Sequence, residues 1–324
     1  MKQVIVTIDT EGHAGKDPIR HLIMGETATG DFGGIPLLMD IFDEYEVKGL
    51  FFVDFAEAFD YGKSKIEDVV RYIVCRGHDV GVHIHPDHMT TTKKQFLFEY
   101  DYDEQLDIIR RCTDLYREII GRDPVAFRAG KYGANRQTLE ILAELGYAAD
   151  FSQFYGYNKW CHIDPPVTGN ESIRLDNGLI EIPVMSYNHF FPCLFNRYDK
   201  FDIDSTRVEH QYLLNRLIKQ DEINIIVMFV HSFSLLNWRK NVDNPPINYR
   251  AVSNLRYALN SIKQSEEVAF TDVDTIISGC FRNEKMAEKQ VLKVSGSRAL
   301  LFYAQKGAHA IMNYIYSKRY GSTL

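Results

Sequence analysis

Three histidines fall between His83 and His88 in the stretch GVHIHPDH. His83 and His85 stand two residues apart, so on a strand they project from the same side and can share one ion. Neutral imidazole with carboxylate is a ligand set for zinc and similar divalent ions, and three protein ligands with an open position make the catalytic arrangement. The carboxylates closest in kind end the first apolar run, VIVTIDTEG. Glu11 is the best third ligand there. Asp9, two residues earlier and on the same side, would lie near a bound water without coordinating. His88 competes with His85, according to whether the strand ends before Pro86. Arg128 in FRAGKYG, Asp150 in ADFS and His231 in FVHS also close apolar runs. Such residues in apolar strands are costly unless paired, so structural pairing at a strand end is the competing reading for each.

The elements that must position these residues alternate. Short apolar runs predict strands at 3–9, 49–55, 78–85, 124–130, 147–152 and 223–231, with a further one opening VAFTDVDTII. Helical spacing of apolar residues predicts helices at 34–46, 65–77, 101–121, 136–145, 206–220 and 249–264. The segment 172–186 reads as a hairpin turned by DNG. Strand–helix alternation implies a parallel sheet, and length and strand count favour a barrel over an open sheet. In such barrels the functional residues gather at the C-terminal ends of the strands. No glycine-rich phosphate motif follows any strand, which removes support for a nucleotide cofactor.

The chain of 324 residues carries 37 Lys and Arg against 44 Asp and Glu, a net charge of −7. Nucleic acid is therefore not an expected partner, because phosphate binding needs a basic face. Cys75, Cys112, Cys161, Cys193 and Cys280 are scattered and odd in number, which argues against a disulfide framework and for a reducing compartment. No run is long and apolar enough to span a membrane, and MKQVIVTIDTEG lacks a signal-peptide pattern, so the cytoplasm is the expected location. Residues 281–324 read as a C-terminal helical extension with Leu301, Ala304, Ala308, Ile311 and Ile315 on one side. That face would pack on the barrel or on a second subunit of a homo-oligomer. Lys306, Lys318 and Arg319 leave a peripheral membrane helix as the alternative. His13, His78 and His162 carry no motif. His189 with Tyr187 and Phe190 could line a substrate groove or pack in the core.

Taken in order, TIDTEG, HIHPDH, FRAGKYG, DFS and IVMFVHS resemble the motifs of the polysaccharide deacetylase (NodB-homology) superfamily of carbohydrate esterases, across residues 1–280. The resemblance implies an α/β fold, a distorted, incomplete (β/α) barrel of about seven strands, forming one catalytic domain over 1–280. It implies Asp9 as general base, and Glu11, His83 and His85 as metal ligands, with His88 as the alternative ligand. It further implies that Arg128 orients Asp9, that a backbone N–H near Tyr132 holds the oxyanion, and that His231 is a general acid tuned by Asp150. The cofactor implied is a divalent ion, zinc first, with cobalt or another ion open. The partner implied is an N-acylated carbohydrate. Hydrolysis of an amide needs a nucleophilic water, a polarised carbonyl and a proton for the leaving amine. Asp9, Glu11, His83, His85 and His231 supply these parts. The expected activity is release of an acetyl or formyl group from a sugar or glycan precursor, within surface polysaccharide biosynthesis. Two alternatives stand beside it: a metal-independent glycoside hydrolase using Asp9 and Asp150, and a carbohydrate-binding relic with a dead site.

Overall fold

The computed structural model describes residues 1–302 other than 13, 93 and 203–206, together with 304. Its strands in chain order are β1 (Lys2–Thr10), β2 (Leu50–Asp54), β3 (Asp79–Ile84), β4 (Ala126–Ala129), β5 (Ala149–Asp150), β6 (Ile173–Arg174), β7 (Ile180–Glu181), β8 (Ser186–Phe191), β9 (Phe195–Lys200), β10 (Ile225–His231), β11 (Val268–Phe270), β12 (Arg282–Asn283) and β13 (Leu292–Ser295). Helices α1 (Ile35–Tyr45), α2 (Ala58–Tyr61), α3 (Lys63–Cys75), α4 (Tyr102–Ile120), α5 (Arg136–Glu144), α6 (Arg207–Ile218), α7 (Tyr249–Lys263) and α8 (Val273–Ile277) lie between them.

The main sheet runs β10-β1-β2-β3-β4-β5-β7-β6-β12, with β11 beside the start of β1. Pairing is parallel from β10 through to β7, and β6 returns antiparallel to β7 as the DNG hairpin predicts. The sheet curls into an incomplete barrel, as the sequence implied. β2 and β3 are buried along their whole length, the state of parallel strands covered on both faces, and this is why β2 opens as the continuous apolar run LFFV. α4 shows how locally the boundaries are set. Asp101 accepts the N–H of Glu104 at its start, and Gly121 adopts the left-handed conformation (φ 80°) that stops it.

A three-stranded sheet, β13-β8-β9, packs beside the main one and was not anticipated. β8 and β9 form an antiparallel hairpin where the reading had placed only the end of another. The extension after residue 280 also differs from the helical expectation at its start. β12 pairs with β6 and β13 with β8, both parallel. Leu292 and Val294 are buried while Lys293 and Ser295 are exposed, a period of two that spans too few residues to stand out beside the helical pattern after it. Residues 296–302 are helical. Ala308, Ile311 and Ile315, with Lys306, Lys318 and Arg319, lie outside the described residues. Among the described residues no helix is long and apolar enough to cross a membrane.

Candidate metal centre and catalytic rim

Parallel register sets the site. Asp9 on β1 stands opposite His231 on β10 and Phe52 on β2. Asp54 stands opposite His83, and His83 opposite Arg128. In-register residues of parallel neighbours point to the same face, so acid, imidazole and guanidinium meet at the C-terminal rim.

Glu11, just past β1, receives both histidines on one oxygen. His83 Nε2 is 3.2 Å and His85 Nε2 2.6 Å from Glu11 Oε2. His231 Nε2 lies 3.9 Å from the other oxygen, Oε1. The His83 Nδ1–H donates to the Arg128 carbonyl at 2.8 Å, which turns Nε2 toward Glu11. One ligand atom from each of Glu11, His83 and His85 lies within 4.8 Å of the others. Two imidazoles and a carboxylate, with the His83 ring already oriented by a backbone carbonyl, fit a divalent ion. His85 sits just beyond β3, and its ring packs where a side chain at residue 130 would be: a Cβ on Gly130 would come within 2.8 Å of it. Burial alone would raise the Glu11 carboxyl, but the His85 charge and the histidine hydrogen bonds outweigh it and hold it well below the usual carboxylate range. Burial would lower His85, and the Glu11 charge overrides this to bring it to about 9.

His88 does not join this set. Its Nδ1 is 2.7 Å from Asp60 Oδ2. Of the two, the structure brings His85 to Glu11 and His88 to Asp60.

Arg128 is fully buried. Its guanidinium donates to Asp9 Oδ1 at 2.6 Å, to Thr7 Oγ1 at 3.0 Å and to the Phe151 carbonyl at 3.2 Å. It also lies 4.4 Å over the Phe52 ring. Burial alone would raise Asp9, but the Arg128 charge prevails, helped by His83 and His231, and keeps the carboxyl below its ordinary value. Tyr132 follows in a tight turn where Lys131 and Tyr132 both adopt positive φ, 53° and 60°. Lys200 Nζ donates to its hydroxyl at 2.9 Å, and burial pushes that phenol up to about 12.

One expectation needs correction. Asp150 does not contact His231. It lies across the sheet on β5, accepting from the Ser152 hydroxyl (2.6 Å) and N–H (3.2 Å), beside Glu181 of β7. Ser152 Oγ in turn accepts the Ala129 N–H, so Asp150 braces the end of β4 rather than tuning the histidine. Asp150 is wholly buried. Of the two readings open for them, Tyr187 and His189 take the core one on β8, with Tyr187 donating to Glu209, while Phe190 on the opposite face is exposed.

Lys200 also reaches this rim, its amino group 3.6 Å from the Phe229 ring centroid. Nothing local marks it; it arrives on the unanticipated hairpin. Asp54 and Glu57, buried acids at the end of GLFFVDFAE, were likewise not among the expected site residues. There the signal existed, since the rule that selected Asp9, a carboxylate closing an apolar run, selects Asp54 as well.

Residues 30–149 match the sequence profile described as polysaccharide deacetylase. This span holds the histidine and arginine motifs; Asp9, Glu11 and His231 lie outside it. No curated protein matches the chain significantly. Among solved structures, a Mycobacterium smegmatis protein classed with the polysaccharide deacetylases aligns over 94% of this chain and 92% of its own, at 20% identity and a TM-score of 0.54. Puue allantoinase aligns over 85% of this chain and 88% of its own, at 12% identity and 0.54. The 4-α-glucanotransferase from Thermococcus litoralis covers all of this chain and 48% of its own, at 13% identity and 0.54. These likenesses show a shared fold. The profile match bears out the resemblance read from the motifs: over residues 30–149 this chain is similar to the polysaccharide deacetylases.

Proposed function

We propose that this chain is a divalent-metal-dependent hydrolase that removes an N-acyl group, acetyl or formyl, from a sugar or glycan precursor. The observation that carries the reading is the meeting of Glu11, His83 and His85 beside the Arg128-held Asp9, with His231 reaching the same glutamate. The profile match over 30–149 supports deacetylation of an acylated sugar. Glu11, His83 and His85 would hold the ion, zinc or a similar divalent metal, which when bound would polarise the amide carbonyl and acidify the attacking water.

The remaining steps belong to the protein. Asp9, ionised and aimed by Arg128, takes a proton from the water as its oxygen bonds to the carbonyl carbon. His231, at the rim and packed flat on Phe233 (4.8 Å between centroids, 19° apart), returns a proton to the amine as the C–N bond breaks. The strained turn at Lys131–Tyr132 offers backbone N–H groups toward the developing oxyanion. A band of aromatic rings extends outward from Tyr132 through Phe154, Tyr157 and Trp160 to Phe96 and Phe98. The last four are partly exposed and suit the apolar faces of a sugar.

The test is acetate or formate release from N-acyl sugars offered as monomers, nucleotide-linked sugars and oligomers. Wild type releases acid, a chelator stops it, and Asp9→Asn or His231→Ala slows it by ~10²–10⁴-fold. Release that survives chelation sinks the reading, and so does binding of every class without turnover. Turnover confined to sugars on a carrier supports a biosynthetic role in the cytoplasm.

A further inference from the structure

The stretch FFVDFAEAFD closes a wholly buried strand with two acids that the chemistry above does not use. Asp54 ends β2 and Glu57 follows in the next turn; each is 1% exposed. One oxygen of each is committed to backbone. Asp54 Oδ1 accepts the N–H of Ala56 at 3.0 Å and that of His85 at 3.3 Å. Glu57 Oε1 accepts the N–H of Gly12 at 2.5 Å. The second oxygens, Asp54 Oδ2 and Glu57 Oε2, are buried with no hydrogen-bond partner among the described residues. His88 faces them. Its Nδ1–H donates to Asp60 Oδ2 at 2.7 Å, which leaves the Nε2 lone pair free 4.0 Å from Asp54 Oδ2. One ligand atom from each of Asp54, Glu57 and His88 lies within 4.8 Å of the other two.

Neighbouring buried carboxylates without a counter-charge are expensive. Among the described residues no lysine or arginine pairs with either acid, and the imidazole of His88 comes no closer than 4.0 Å to Asp54 Oδ2. A proton shared between the acids would satisfy one oxygen and leave His88 Nε2 idle. A cation meets all three donors together, and Asp60 behind His88 is the carboxylate–imidazole arrangement that orients metal-binding histidines.

We propose that Asp54, Glu57 and His88 hold a second divalent cation, of the zinc or manganese type that accepts mixed carboxylate and imidazole donors. Its place is structural. The same two acids hold the N–H groups of Gly12, next to Glu11, and of His85, so an ion there braces both loops that carry the first cluster. The side chain of His88, 15% exposed, marks the side from which an ion enters.

The experiment is elemental analysis of the full chain after equilibration with zinc chloride and removal of free ion. Wild type carries two ions per chain, Glu57→Gln carries one, Glu11→Gln carries one, and the double variant none. Glu57→Gln keeps an oxygen for Gly12; His88→Asn repeats the test from the exposed side without touching a buried acid. One ion in wild type that Glu57→Gln and His88→Asn keep and Glu11→Gln loses overturns the second site and leaves the first standing. One ion lost in Glu57→Gln and His88→Asn but kept in Glu11→Gln supports this site and overturns the other. No ion in wild type overturns both.

Discussion

Arg128 carries its charge with no exposure to solvent. Asp9 meets that charge at 2.6 Å, Thr7 and the Phe151 carbonyl take its remaining donors, and the Phe52 ring covers its flat face. The two charges are therefore each other's condition for burial. Arg128→Met leaves Asp9 ionised, buried and unpaired, and lowers stability by about 3–5 kcal/mol. Adding Asp9→Asn to the same chain removes the orphan charge and restores part of the loss. Urea midpoints of the two single variants and the double variant measure the coupling. A double variant whose loss equals the sum of the two single losses would show that the pair is not coupled. That Arg128 has work to do was legible, because a guanidinium in an apolar run needs a partner. Which acid it meets was not fixed by anything local, since Asp9 lies 119 residues away in the chain. Asp150, the other acid at a strand end, turned out to brace Ser152.

At the scale of elements, β2, β3 and β4 must lie close enough for Phe52 to support that guanidinium. Gly81 makes the room. It stands opposite Phe52 in register, and a Cβ there would come within 2.7 Å of the ring and 3.2 Å of the Ala126 carbonyl. A ring packed at zero exposure cannot swing aside. Gly81→Ala is expected to cost about 1–3 kcal/mol by overpacking and to reduce turnover as Phe52 and Arg128 shift. Thermal unfolding and initial rates measured together check this, and unchanged values in both would refute it. The helices and the long strands were readable to within two residues at nearly every end, because apolar spacing and caps repeat along them. The hairpin β8–β9 and the strand β13 escaped, since a few alternating residues on a half-exposed sheet give no sustained period. Lys200 was lost with them.

For the whole molecule, pH acts on stability through buried groups. His210 on α6 packs 4.6 Å from the Phe201 ring, and neither ring nitrogen has a hydrogen-bond partner among the described residues. Burial lowers its pKa from 6.5 to about 4. Between those values the unfolded chain binds a proton that the folded chain refuses, so stability falls as pH drops through that window, by up to about 3 kcal/mol from this group. The Asp150–Glu181 pair acts with the opposite sign. Burial raises Asp150 to about 6, so the folded chain holds protons longer and gains stability toward acid over the same range. Comparing wild type with His210→Phe isolates the first contribution: the variant's urea midpoint should fall less between pH 6.5 and 4. Equal slopes would show that His210 is not the group responsible.

The sequence by itself determined the alternation of strands and helices, the parallel sheet that follows from it, and the roster of groups at strand ends. It could do so because hydrophobic period and polar residues in apolar runs are local properties of a chain. Glu11, His83, His85 and His88 were all on that roster before any contact was known. Only the tertiary structure decided who meets whom. The register of β1, β2, β3 and β4, and the room left by Gly81 and Gly130, turn His85 toward Glu11 and leave His88 to Asp60 and Asp54. The physical reason is that hydrogen-bond reach is a few ångströms while the partners are tens of residues apart, so pairing is a property of strand register rather than of sequence spacing.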